Sequence, residues 1–212
     1  YHDGPLTINE QEDRLIITRI DNKTLGKGFV NRMKLFQADL VNEKWKSFEP
    51  LPFNSDDYSV CHAHLSDSGK TLYFASDMPG TLGESDVFKV SINEDGTYGT
   101  PENLGNTINT EARETFPYVS SEKVLYISSD GHPGLGGLDI FATMIKDEKY
   151  DNAIFNVGEP VNSKMDDFTF IFNEETRTGY FASNRPQGQG GKVAGAPMKA
   201  GRDTSFSLQP RT

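Results

Sequence analysis

The sequence predicts an all-β fold, a β-propeller of four-stranded blades. Three observations carry that prediction: an internal repeat of about 53 residues, short β-branched and aromatic runs separated by turn residues, and the lack of a sustained helical hydrophobic period. The 212-residue chain is long enough for one all-β domain or two small ones. Its 14 Phe and 8 Tyr exclude wholesale disorder, because enough apolar surface exists to build a core.

The repeat is read from spaced motifs in a fixed order. Ser76-Asp77 recurs as Ser129-Asp130 and Ser183-Asn184, at offsets of 53 and 54. Asp86-Val87-Phe88 recurs as Asp139-Ile140-Phe141, and Asn103-Leu104-Gly105 with Ile108-Asn109-Thr110 recurs as Asn156-Val157-Gly158 with Val161-Asn162-Ser163. A fainter copy precedes these, with Ile16-Ile17-Thr18-Arg19 placed on Phe74-Ala75-Ser76-Asp77. Leu35-Phe36, Trp45 and Phe53-Asn54-Ser55 then fall on Val87-Phe88, Tyr98 and Ile108-Asn109-Thr110. The units are 1–58, 59–113, 114–166 and an incomplete 167–191.

The second unit shows why each element forms. His62 to Leu65 is a first strand, Asp67-Ser68-Gly69-Lys70 a tight turn, and Thr71 to Ala75 a second strand. A loop leads to a third strand from Val87 to Ile92, and the Asn93–Gly96 turn leads to Tyr98. Middle strands apolar on both faces suit a sheet packed between two neighbours. A β-sandwich has no reason to repeat at this period, and a β-helix repeats far more often. The blades form either part of a larger propeller, the preferred expectation, or a compact four-bladed one. Tyr1-His2-Asp3-Gly4-Pro5 resembles a blade start following another blade, and the absence of Met at position 1 suits a mature or internal piece. Residues 192–212 break the pattern, with four basic residues and one acid, and are expected to be a tail or linker.

The net charge of −10 argues against nucleic acid, whose affinity comes from clustered basic groups releasing counterions. No apolar run approaches the roughly 18 residues that a spanning helix needs. Cys61 is the single cysteine, so no internal disulfide forms, and this is neutral about compartment.

Four candidate features remain. Asp77 and Asp86, like Asp130 and Asp139, flank equivalent hairpin loops, where short acids accept backbone N–H bonds; the expectation is a blade-building role. Calcium at the Gly134–Asp139 stretch is the functional alternative. Cys61-His62-Ala63-His64 offers two histidines on one strand face, a possible metal pair. The equivalent residues Phe116 and Tyr118 instead favour a packed aromatic slot. The chain has no G-x-S-x-G, H-E-x-x-H or C-x-x-C motif, and Gly188–Lys192 lacks the spacing of a phosphate loop. Acid pairs such as Asp166-Asp167 and Glu174-Glu175 arise readily in so acidic a chain. The last feature is the set of Gly/Pro-stiffened loops Met78–Gly83, His132–Leu138 and Asn184–Gln187, which repetition brings to one face. Met78, Leu82, His132, Leu135, Leu138 and Arg185 are expected to contact protein partners there; in the alternative, the loops only tuck across neighbouring blades.

The stretches Leu65–Gly80, Arg113–Tyr118 and Ser129–Phe141 resemble the WD40-like PD40 propeller repeat. The resemblance is to the propeller of OmpA-family outer-membrane-associated proteins, the PorE-like group of bacteria with type IX secretion and gliding motility. It covers residues 1–191 and is strongest over 50–185. It implies a non-enzymatic periplasmic scaffold at the outer membrane, holding protein partners such as barrel, secretion or gliding components, with no cofactor. Peptidoglycan contact in that family runs through a domain that these residues do not include. The fourth unit departs from the pattern: Val193-Ala194-Gly195 stands where an Asp-Ile-Tyr-like strand is expected, so that blade is incomplete or closed from elsewhere. The rival expectations are a periplasmic hydrolase, peptidase- or glycosidase-like, and a sugar- or calcium-binding module.

Overall fold

The computed structural model describes residues 3–20, 31–66, 68–147, 149–151, 153–173, 175–186, 194–195 and 198–199. Tyr1, His2, Asp67, Glu174, Gln187, the Gly188–Lys192 stretch, Val193 and residues 196–197 and 200–212 of the basic tail lie outside the described residues.

The strands fall into four antiparallel sheets in chain order. The first contains β1 (Asp3–Ile8), β2 (Arg14–Ile20), β3 (Met33–Val41) and β4 (Lys44–Pro50). The second contains β5 (Val60–Leu65), β6 (Thr71–Ser76), β7 (Asp86–Ser91) and β8 (Glu102–Asn103). The third contains β9 (Glu114–Val119), β10 (Val124–Ser129) and β11 (Asp139–Lys146), with β12 (Lys149–Tyr150) and β13 (Phe155–Asn156) both paired to β11. The fourth contains β14 (Asp167–Asn173) and β15 (Thr178–Ser183), with β16 (Ala194–Gly195) and β17 (Met198–Lys199) both on the outer edge of β15. Two short pieces from residues expected to be tail thus stand where a full third strand runs in the other sheets.

Hydrophobic cores form in the wedges between consecutive sheets, as stacked blades require. Ile16 and Leu35 of the first sheet meet Leu65, Leu72, Phe74 and Phe88 of the second. Tyr73 and Val87 meet Val119, Leu125, Ile127 and Phe141 of the third, and Tyr126 and Ile140 meet Phe170, Phe172 and Phe181 of the fourth. Middle strands β6 and β10 are therefore buried on both faces. Burying one such Leu or Phe contributes roughly 1.5–3 kcal/mol, so the wedges dominate stability.

Each of the last three sheets bends at the same place in its first strand. His62, Phe116 and Thr169 take positive φ values of 53°, 48° and 55°, and the strand pairing shifts register there. Such bulges increase local twist and redirect side chains. The His62 and Phe116 rings stack at 3.8 Å, and Phe116 stacks on Phe168 at 5.4 Å, which links three first strands. The His62 N–H also donates to Thr18 Oγ1 of the first sheet at 2.9 Å.

Two expectations are corrected. In the first unit the pairing of Thr7 with Ile16 matches that of His64 with Tyr73, so Ile16 corresponds to Tyr73 and not to Phe74. A one-residue slip exchanges faces in a strand, and here it decides that Ile16 points at the second sheet. The compact four-bladed alternative also fails: among the described residues no strand of the fourth sheet packs against the first. The four sheets form an open arc.

Candidate functional site

The β6–β7 and β10–β11 loops leave the same end of the arc, and their acids are consumed in building it. Asp86, fully buried, accepts from the Leu82 N–H at 2.8 Å, the Gly83 N–H at 3.3 Å and Asn103 Nδ2 at 2.6 Å. Asp139 accepts from the Leu135 and Gly136 N–H groups in the same way. Asp77 accepts from the Ser59 N–H, Asp130 from the Arg113 N–H at 2.8 Å, and Asn184 from the Asp166 N–H at 2.9 Å. One side chain per blade thus joins the exit of the second strand to the entry of the first. Asp130 also holds the Arg113 guanidinium, raising its already high pKa, chiefly through the hydrogen bond.

The loops clasp the following blade. Glu84 N donates to Ala112 O at 2.9 Å and Glu114 N to Ser85 O at 2.8 Å; one repeat later Asp167 N donates to Leu138 O at 2.6 Å. Gly83 and Gly136 lie against backbone of the next sheet so closely that a Cβ would overlap the carbonyl oxygens of Ala112 and Met165. Leu82 and Leu135 occupy the same repeat position and stay exposed at the tips. The other proposed contact residues differ from the solvent-facing expectation. Met78 is buried in the core between the first two sheets. His132 Nε2 contacts Ile108 O at 2.8 Å, and Arg185 donates to Pro160 O at 2.9 Å, to Val161 O, and to Asp167 Oδ1 at 2.8 Å. His132 and Arg185 stand one position apart in the repeat, yet both turn inward onto equivalent carbonyls, those of Ile108 and Val161. Leu138 is partly buried and lines the pocket described below.

Several residues that sequence reasoning left without a role prove central to this end. Asn109 accepts from Val87 N–H at 2.8 Å and donates to Val87 O at 3.0 Å, and Asn162 does the same to Ile140. Asn54 repeats the pattern on Leu35. Each amide replaces a missing neighbour strand for one residue of the third strand. Buried Glu114 accepts from Thr110 N and Oγ1, both at 2.7 Å, and Ser129 Oγ at 2.6 Å. The signal was available in the recurrence of Thr110–Glu114 as Ser163–Asp167.

Between the second and third sheets at this end lies a pocket of about 310 Å³, lined by Cys61, His62, Asp77, Glu84, Arg113 and Phe116 among others. His62 Nδ1 contacts Thr115 Oγ1 and lies 3.6 Å from Cys61 Sγ. Burial pushes the Cys61 thiol up to about 12, with Asp77 adding to the rise, and pushes His62 down to about 4. A reactive Cys–His pair needs the opposite, a thiolate beside an imidazolium. At neutral pH both groups are uncharged. His64 packs edge-on against Tyr118 with ring centroids 4.8 Å apart, and its Nε2 contacts Val119 O at 3.1 Å. Among the described residues no group of three or more His, Cys, Asp or Glu side chains is placed to hold a metal ion. At the opposite end a cleft of about 680 Å³ carries Lys70, Lys89 and Lys123 beside Glu102 and Asp147, and Lys89 lies 3.8 Å from Glu102.

No protein-family model matches the chain, and no curated protein matches it. Solved structures do. The putative TolB from Agrobacterium tumefaciens superposes with a TM-score of 0.60 at 12% identity, over 92% of this chain and 60% of that one. The periplasmic gluconolactonase PpgL of Pseudomonas aeruginosa gives 0.52 at 14%, over 94% and 58%. An α-L-arabinofuranosidase from Lactobacillus brevis gives 0.52 at 11%, over 90% and 70%. The chain therefore spans about three fifths of the first two. At these identities the likeness is one of fold: the chain is an all-β propeller arc of four-stranded sheets.

Proposed function

We propose that this chain is a non-enzymatic scaffold module that binds protein partners through the loop end of its blades. We place it in the periplasm at the outer membrane, as part of a PD40-type propeller of the OmpA-family, PorE-like group that serves type IX secretion or gliding. The observation that carries this reading is the division of labour in the loops. Their acids Asp86 and Asp139 are spent on bracing the loops themselves and their backbone on clasping the next blade, while Leu82 and Leu135 stay exposed on a stiff backbone at matching positions. Rigid apolar tips lose little entropy on binding and suit a protein contact. The uncharged Cys61–His62 pair supports a binding role over nucleophilic chemistry. The periplasmic setting draws on the named neighbour PpgL and on the resemblance of the repeats.

The test is recovery of partners from cell envelopes with the chain and with a Leu82→Glu/Leu135→Glu variant. Recovery of outer-membrane barrel proteins by the first and at least a tenfold loss with the second supports the scaffold. Equal recovery by both moves the contact elsewhere. Turnover of a peptide or glycan library, abolished by His62→Ala or by a single carboxylate change, supports a hydrolase instead.

A further inference from the structure

The two end sheets carry apolar faces at positions that every interior sheet boundary covers. Tyr73, Tyr126 and Tyr180 are equivalent: each is on the second strand of its sheet, paired with His64, Tyr118 and Ile171. The first two point at the following sheet and are 6% and 9% exposed; Tyr180 is 53% exposed and its partner Ile171 47%. The far side of the arc shows the mirror situation. Ala63, Leu65, Leu72, Phe74, Phe88, Val90 and Tyr98 form the face that the second sheet presents to the first. By strand pairing, their equivalents in the first sheet are Leu6, Ile8, Leu15, Ile17, Phe36, Ala38 and Trp45. Leu15, Ile17 and Ala38 cluster with Phe36 and Trp45, yet Leu6 and Ile8 are 51% and 43% exposed where Ala63 and Leu65 are each 6%.

We propose that both faces are blade interfaces, each covered by a further four-stranded sheet of the same design, so that these four blades are an arc of a larger ring. Repetition identifies the occupant. At all three interior boundaries the face in question is covered by a sheet of this kind, through Leu65, Leu72, Phe74 and Phe88 of the second sheet, Val119, Leu125, Ile127 and Phe141 of the third, and Phe170, Phe172 and Phe181 of the fourth. The end faces keep the same apolar character, whereas a repeat array that ended there would carry a polar outer face. The superposition of nearly the whole chain on parts of longer propellers shows that the sheets already hold the spacing of such rings. The inference is independent of the partner proposed for the loop end.

A chain extended after Thr212 by a copy of residues 114–166 tests it. That copy is the third blade, which would set its equivalents of Val119, Leu125 and Ile127 against Tyr180 and Ile171, as they meet Tyr73 in the second wedge. The extended chain is expected to melt at least about 5 °C above the original. Tyr180→Lys should shift the original chain by less than about 2 °C but lower the extended one by about 5 °C or more. The original chain should also bind a hydrophobic dye, at least twofold less after Ile171→Lys/Tyr180→Lys. No gain in melting temperature with Tyr180→Lys silent in both chains overturns the proposal, as does an original chain that binds no dye. Sedimentation of the original chain at twice its 23.5 kDa mass, abolished by Tyr180→Lys, would make a second copy the occupant and overturn it too.

Discussion

His62 shows how one side chain links sheets and makes stability depend on pH. Its ring stacks on Phe116, its N–H reaches Thr18 and its Nδ1 reaches Thr115, so three sheets meet at one residue. Burial holds the folded imidazole neutral down to about pH 4, against 6.5 for the free group. Between those values the unfolded chain binds a proton that the folded chain refuses, so stability falls as pH drops through that window. The loss is of the order of 3 kcal/mol at most. His62→Phe, which copies Phe116, should remove that part of the pH dependence; guanidinium denaturation from pH 7 to 4 measures it. An unchanged slope would mean that His62 is solvated in the folded state. At this scale the sequence was partly legible. The aromatic slot followed from Phe116 and Tyr118 at equivalent positions. The role of Asn54, Asn109 and Asn162 did not, because an amide replacing a strand leaves only a recurring Asn, indistinguishable from a turn residue until the partner backbone is placed.

At the scale of elements, the loops between second and third strands act as inter-blade clasps. Gly83 and Gly136 make this possible, since the backbone of the next blade occupies the space a side chain would need. Gly83→Ala and Gly136→Ala should each lower stability by about 1–3 kcal/mol through overpacking against rigid backbone. The check is the guanidinium midpoint at unchanged m-value; two silent substitutions would show that the loops stand clear of the neighbour. The glycines were visible in the sequence as turn formers, but the clasp was not, because it depends on the distance between sheets. For the same reason Met78, His132 and Arg185 read as tips: a loop sequence does not reveal which donors a neighbouring carbonyl will draw inward. The first sheet adds a different lesson. Its strand hydrophobicity located the elements, while the alternation on which register depends was too weak there to fix the face, and the match slipped by one residue.

For the whole molecule, the period of about 53 residues was sufficient to infer stacked blades, because a sheet apolar on both faces is stable only between two others. Closure was not legible in the same way, since ring size depends on small inter-sheet angles that no local pattern encodes. The structure supplies that answer as an open arc, with covered tyrosines at two boundaries and an uncovered one on the outer face of the fourth sheet. The central claim is the stacking of these sheets with the Tyr180 face of the fourth sheet left bare. Nitration of the folded chain by tetranitromethane, mapped by peptide mass spectrometry, tests it most directly. The account predicts rapid modification of Tyr180 with Tyr73 and Tyr126 protected until the chain unfolds. Modification of all three at similar rates would contradict the stacking, and protection of Tyr180 alongside the other two would contradict the bare face.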